Sequence, residues 1–168
     1  MIDGVTRLPF VTHADDRGDL TEAWRVSWQL LPDLLQWNLV RSDAGVLRGV
    51  HVHLVHREVV VVVNGHLRLG LHDLRPGSCT YRQSQMLDIS GDTPGAVVLP
   101  SGVAHGFLTA VDTTVFIGMT EEYDPADDIA MRWDDPALSL EWGCTNPRQS
   151  ARDRDAPPVD AVIAQLAG

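Results

Sequence analysis

A chain of 168 residues with 44% hydrophobic and 21% charged side chains has the make-up of one soluble globular domain, spanning 1–168. Its formal net charge of −10 excludes a nucleic-acid or anionic-membrane surface as the expected partner. No apolar run approaches the ~20 residues of a bilayer span, and the start, MIDGVTRLPF, has no signal-peptide pattern. Cys79 and Cys144 stand far apart and outside CxxC spacing, so neither a disulfide framework nor a thiolate zinc site is expected. A cytoplasmic protein is predicted.

In chain order, the first helical pattern is SWQLLPDLLQ (27–36), interrupted by Pro32. EVVVVVNGHLRLGLHDL then reads as two strands around Asn64-Gly65, a hairpin signal. Leu67, Leu69 and Leu71 alternate with His66, Arg68, Gly70 and His72, as in a half-buried strand. Ala96 to Leu99 forms another short strand between Gly and Pro breakers, and TTVFIGMTEEY a further one. The tail PVDAVIAQLAG is helical in pattern. Many short, closely spaced strands predict an all-β sandwich or barrel with short helices restricted to these two places.

Chemistry concentrates in RGVHVHLVHREVVVVVNG (48–65). Residues two apart on a strand share a face, so His51 and His53 converge. Glu58 lies an odd number of steps from His53, and a bend within LVHR is needed to bring it to the same side. Pro100-x-Gly102-x-x-His105 supplies another histidine some forty residues on. An HxH pair alone is an ordinary strand pattern; with Glu58, Gly65 and His105 in register it reads as a ligand set. Imidazoles and a carboxylate suit a divalent Fe, Mn, Ni, Cu or Zn ion. His56 faces away from the pair and is expected at the surface or rim. His13, His66 and His72 are expected to be structural.

The spacing of His51, His53, Glu58 and His105 resembles the paired metal motifs of the cupin superfamily, which implies a cupin-type jelly-roll β-barrel with short flanking helices. A wider resemblance runs from about Asp15 to Asp153, through DDRGDLTE, QWN, LRGVH, DLRPGSCTY, PSGVAHGF, YDP, WDDPALSLEW and SARD. These stretches resemble the dTDP-4-dehydrorhamnose 3,5-epimerase family, a cupin branch acting on dTDP-4-keto-6-deoxy sugars. The resemblance implies an isomerase, a homodimer built partly from N-terminal strands, and a dTDP pocket of Arg17, Glu22, Gln36, Asn38 and Arg48. Tyr123 falls near an aromatic that packs against the base. It also implies that His51 is the general base, oriented by Asp153.

Other positions depart from the family pattern. The family's enolate-stabilising lysine falls on Glu58, its accompanying aspartate on Leu69, a glutamine on His53, and the general-acid tyrosine on Gly118. Two of these departures complete the ligand set His51, His53, Glu58 and His105, so a metal ion is expected in the place of the lysine. His51 cannot then be both ligand and free base, and Asp153 would hold the His51 ring or handle protons itself. Two other functions compete: a metal-dependent oxygenase or lyase reusing the pocket, and a non-catalytic sugar-nucleotide-binding cupin.

Overall fold

Five consecutive valines, Val59 to Val63, run through the middle of a sheet whose two faces are both covered. In the computed structural model, which describes residues 1–166, they belong to β6 (Glu58–Asn64). Val60 and Val62 face an inter-sheet core with Leu67, Leu69, Val97 and Val115. Val59 and Val61 face the other way, beneath Leu8, Phe10, Trp24, Leu30, Leu31 and Leu34. A strand buried on both faces reads as a continuous apolar run, as this one does.

That outer cover explains why the helix expected over 27–36 does not form. Only Val26–Trp28 makes a 3-10 turn, and it ends at Gln29 with φ 52°. The leucines that follow lie across the sheet, and Pro32 withholds the donor that a continuing helix would need. The chain then enters β4 (Gln36–Ser42).

One antiparallel sheet has the order β1 (Thr6–Pro9), β9 (Gly95–Leu99), β6, β11 (Thr113–Met119), β4. The facing sheet has the order β12 (Ile129–Ala130), β5 (Leu47–Val52), β10 (Val103–Thr109), β7 (His66–Asp73), β8 (Ser84–Ser90). This is the all-β cupin arrangement that was expected, although the two sheets face one another without joining into one closed ladder. The pair β2 (Thr12–Asp15) and β3 (Gly18–Thr21) forms a separate two-stranded sheet.

Asn64-Gly65 is not a hairpin turn. β6 pairs with β9 and β11, whereas β7 pairs with β10 and β8, so these residues carry the chain from one sheet to the other. Gly65 has φ 90°, and a Cβ there would lie 2.6 Å from the Asp112 carbonyl oxygen. The turn chemistry was legible, but which strands it joined depended on long-range pairing.

The outer face of the second sheet is covered by the C-terminal third of the chain. Leu47, Val50, Val52 and Ala104 pack there against Met131, Leu138, Trp142, Val159 and Val162. A 3-10 turn at Pro136–Leu138 and two helices, α1 (Ala151–Arg154) and α2 (Val159–Leu166), make up this cover. α2 matches the helical tail expected from sequence, and its last two residues, Ala167 and Gly168, lie outside the described residues. Among the described residues, no helix is long and apolar enough to cross a membrane.

After β7, the DLRPGSCTY stretch folds around Asp73, which is 0% exposed. Arg75 grips both its oxygens at 2.8 Å, and the Ser78 and Thr80 hydroxyls donate to Oδ2 at 2.6 Å. Burial opposes the charge, but this fork and the two hydroxyls hold the carboxyl well below the usual carboxylate range. A lowered folded-state pKa gives stability that is present above the unfolded value and lost as pH falls through the folded one. Asp73→Asn is therefore expected to cost about 3 kcal/mol in urea unfolding at neutral pH, as removal of one partner of a buried pair does. The gap from wild type should narrow as pH drops below about 4.

Candidate active site and metal centre

β5 and β10 meet unusually closely where His51 pairs with His105. Gly49 makes this possible: its φ is 98°, and a Cβ there would lie 2.9 Å from the His105 carbonyl oxygen and from Gly106 Cα. From the C-terminal cover, α1 brings in Asp153, with Ser150 capping the helix by accepting from the Asp153 N–H. Asp153 Oδ2 accepts from Gly49 N at 3.3 Å and Oδ1 lies 2.7 Å from His51 Nε2. Burial raises the Asp153 pKa, but the His51 bond and the Gly49 and Ser150 contacts outweigh it and keep the carboxyl low. With Nε2–H donated to a carboxylate, His51 carries its lone pair on Nδ1. This nitrogen is 3.5 Å from Asp128 Oδ1, with no hydrogen bond between them.

Three of the four expected ligands come together: His53, Glu58 and His105 present donor atoms within 4.8 Å of one another. His51 lies outside this group, with Nε2 on Asp153 and Nδ1 3.5 Å from Asp128 Oδ1. His51 and His53 do share a face, lining one cavity with their Nδ1 atoms 3.5 and 4.0 Å from Asp128 Oδ1, although β5 ends at Val52 and a bend follows His53. That bend, Leu54–Arg57, does bring Glu58 round, as its odd spacing required. Glu58 Oε1 is 3.7 Å from His53 Nε2, and Oε2 is 2.8 Å from His105 Nε2 but without hydrogen-bond alignment.

His56, expected at the rim, is 2% exposed. Its ring stacks on that of His53 with centroids 4.1 Å apart, and its Nε2 is 3.5 Å from Glu58 Oε1. The bend that swings Glu58 inward swings His56 in with it, so strand parity misplaced the residue. Asp127 builds this bend. Its Oδ1 accepts from Leu54 N at 2.6 Å and Val55 N at 3.1 Å, and its Oδ2 from His56 N at 3.3 Å and His56 Nδ1 at 2.9 Å. The Asp127 carbonyl accepts from His53 Nδ1 at 2.9 Å.

Burial works against the charge of Glu58, but the surrounding His105, His56 and His53 rings hold its carboxyl well below the usual range. His53 is pushed down to about 4, by burial and then by charge on His105. Burial also lowers His105 and His56, yet Glu58 outweighs it and raises both, with Asp127 adding to the effect on His56.

A cavity of about 280 Å³ opens on this cluster, and Arg48, His51, Arg152, Asp153 and Ile117 line it as well. Arg48 is held by Ser42 Oγ at 2.9 Å and the Arg41 carbonyl at 3.1 Å. On β4, Gln36 Nε2 donates to Asn38 Oδ1 at 2.9 Å, and Gln36 Oε1 accepts from Tyr123 N at 2.8 Å. Gln36, Asn38 and Tyr123 thus form one group. Arg17 and Glu22 do not join it. Arg17 is 84% exposed on its side chain, beyond β2, and paired with Asp15, while Glu22 pairs with Arg25.

The general-acid position also moves. Gly118 points outward, where a Cβ would meet Leu34 and Trp37 at 3.0 Å, and its neighbour Ile117 is the β11 residue that lines the cavity. Neither carries a hydroxyl. Sequence reasoning missed Asp127, Asp128 and Arg152. Arg152 pairs with Asp128, whose Oδ1 is buried without a hydrogen-bond partner. Ser150-x-x-Asp153 is a capping pattern that could have revealed α1; nothing local marked the two aspartates.

A profile of the family described as dTDP-4-dehydrorhamnose 3,5-epimerase matches residues 1–161. The spore coat polysaccharide biosynthesis protein SpsL of Bacillus subtilis is 32% identical over 146 residues, covering 84% of this chain and 97% of that protein. A dTDP-4-dehydrorhamnose 3,5-epimerase of Sinorhizobium fredii is 31% identical, covering 76% of this chain and 70% of its own length. Among solved structures, dTDP-6-deoxy-D-glucose-3,5-epimerase RmlC from Legionella pneumophila, in complex with dTDP-4-keto-L-rhamnose, superposes with TM-score 0.91. It is 26% identical, with 99% of this chain and 93% of that one covered. With its two-sheet fold, its His51–Asp153 pair and a profile match over nearly its whole length, the chain belongs to the dTDP-4-dehydrorhamnose 3,5-epimerase family.

Proposed function

We propose that this protein is an epimerase of a dTDP-linked 4-keto-6-deoxy sugar, moving a proton at a carbon beside the ketone with assistance from a divalent metal ion. The observation that carries this reading is the 2.7 Å contact of His51 Nε2 with Asp153 at the wall of the cavity. A proton alpha to a ketone needs a base of near-neutral pKa whose cation is stabilised. His51 Nδ1 takes the proton, and Asp153 fixes the tautomer and stabilises the imidazolium. Arg48, Gln36, Asn38 and Tyr123 hold the dTDP moiety, with the Arg48 guanidinium on the diphosphate.

The residues present fit a divalent ion. Glu58 Oε2 is buried with no hydrogen-bond partner, and the Nε2 atoms of His53 and His105 flank the same carboxylate. When bound there, the ion would polarise the sugar carbonyl as a Lewis acid, the work the family resemblance assigns to a lysine at position 58. We further propose a homodimer in the cytoplasm, in which Arg17 and Glu22 complete the nucleotide site of the partner subunit. A two-stranded hairpin is marginally stable alone, and β2 and β3 pair only with each other. Free thiols at Cys79 and Cys144 accord with a reducing compartment.

The test is incubation with dTDP-4-keto-6-deoxyglucose in D2O, with mass spectrometry of the recovered sugar nucleotide. Deuterium is expected at C3, at C5 or at both. Absence of both exchange and dTDP binding in calorimetry would overturn the reading, and binding without exchange would favour a non-catalytic sugar-nucleotide protein. In the same calorimetry, Arg48→Ala should weaken dTDP by about 1.5–3 kcal/mol, the size of a hydrogen bond to a charged group.

A further inference from the structure

We infer a further activity for this site: His51 returns to C4 the proton it takes from C3, on the same face of the sugar, so that the ketone moves from C4 to C3. This rests on the dTDP-sugar and His51 reading above and changes where the proton is returned. Inversion at one carbon needs a base on one face of the sugar and an acid on the other. A proton handed back to the same carbon by the group that removed it restores the starting configuration.

The two walls of the cavity differ in what they offer. β5 and β10 bring His51 and His105 side by side from one sheet, and Asp153 stands behind His51 on its Nε2. Ser150, whose hydroxyl is the only one lining the cavity among the described residues, caps α1 on that same side. From the facing sheet come Val40, Val60 and Ile117, with Ile117 opposite Val60 across the β6–β11 ladder. Glu58 is the one proton-carrying side chain this sheet adds to the cavity, and its carboxylate is turned among the His53, His56 and His105 rings. The far face of a bound sugar therefore meets valine and isoleucine, which supply no proton and exclude the water that could.

A ketone shift needs only one base, as in isomerases that run through an enediol on a single carboxylate. Removing the proton at C3 of a 4-keto sugar leaves an enediolate, because C3 itself carries a hydroxyl. C3 and C4 are one carbon–carbon bond apart, about 1.5 Å, so His51 Nδ1 can serve both. The C3–H and O3–H bonds break and the C4–H and O4–H bonds form, with the hydroxyl proton exchanged through water. The product is an isomer, and no oxidant or reductant takes part. In the gluco series H3 and H4 lie on opposite faces of the ring, so return on the same face gives the galacto configuration at C4.

The test incubates the full chain with dTDP-4-keto-6-deoxyglucose in ordinary water, follows the sugar by proton NMR, and then reduces the mixture with borodeuteride. Deuterium fixed at C3 marks a 3-ketone, and deuterium fixed at C4 marks a 4-ketone. Wild type should form a 3-ketone of galacto configuration, and His51→Asn should form it at least about tenfold more slowly. Label confined to C4, with C3 or C5 inverted, would overturn the inference and leave the epimerase reading standing. A 3-ketone of gluco configuration would overturn the same-face return by His51. Neither a ketone shift nor an inversion would overturn both readings.

Discussion

His51→Asn should slow deuterium entry into the sugar nucleotide by about 10³-fold, since removal of a positioned general base costs about 10²–10⁴. Asp153 would lose its imidazole partner at 2.7 Å, and the exposed face of the variant asparagine offers no basic nitrogen. Asp153→Asn should act more mildly, roughly 10²-fold, because the ring keeps its place while the imidazolium loses its counter-charge. Both variants should bind dTDP within about twofold of wild type, since neither residue is among those assigned to the nucleotide. Stopped exchange with unchanged dTDP affinity is the expected pattern, accompanied by a lowered melting temperature because the buried Asp153–His51 pair is broken or loses its charge. A His51→Asn protein that exchanges at the wild-type rate would remove His51 from the chemistry.

Glu58→Gln should abolish metal binding and make the melting temperature indifferent to chelator. An ion that binds only the native state adds about 4 kcal/mol when its concentration is 1,000 times its dissociation constant. At about 2–4 °C per kcal/mol for a chain of this size, chelator should lower the wild-type midpoint by about 8–16 °C. Scanning calorimetry of both proteins, with and without chelator, checks this. Glutamine keeps the shape of the carboxylate but removes the charge around which the His53, His56 and His105 rings gather. If the wild-type midpoint ignores chelator, and the chelated enzyme still turns over its keto sugar, the metal reading falls and His51 acts as a base in a metal-free epimerase.

The strands of the core were legible because alternation survives wherever one face of a strand is buried. Leu67, Leu69 and Leu71 on β7 and the valines of β6 announced themselves by local pattern alone. Where β5 gives way to a bend, that pattern stopped being a guide. His53 and Glu58 were singled out by motif spacing, but His56, expected at the rim, lies buried beside them, because side-chain parity holds only while the backbone stays extended. The bend depends on Asp127, more than seventy residues away in sequence from the Leu54 N–H it receives. Asp128 and Arg152 meet beside His51 through the C-terminal cover for the same reason. The Asn64-Gly65 corner shows the complementary case, in which local chemistry was read correctly and its partners were not.

The hairpin of β2 and β3 carries Arg17 on its tip, paired with Asp15 and turned to solvent. If Arg17 and Glu22 contact nucleotide only in another copy of the chain, the completeness of each site becomes a function of protein concentration. Dilution would then weaken dTDP binding without touching the His51–Asp153 pair, and specific activity at subsaturating substrate would fall as the protein is diluted. Assays at nanomolar and micromolar protein would differ in KM while agreeing in kcat.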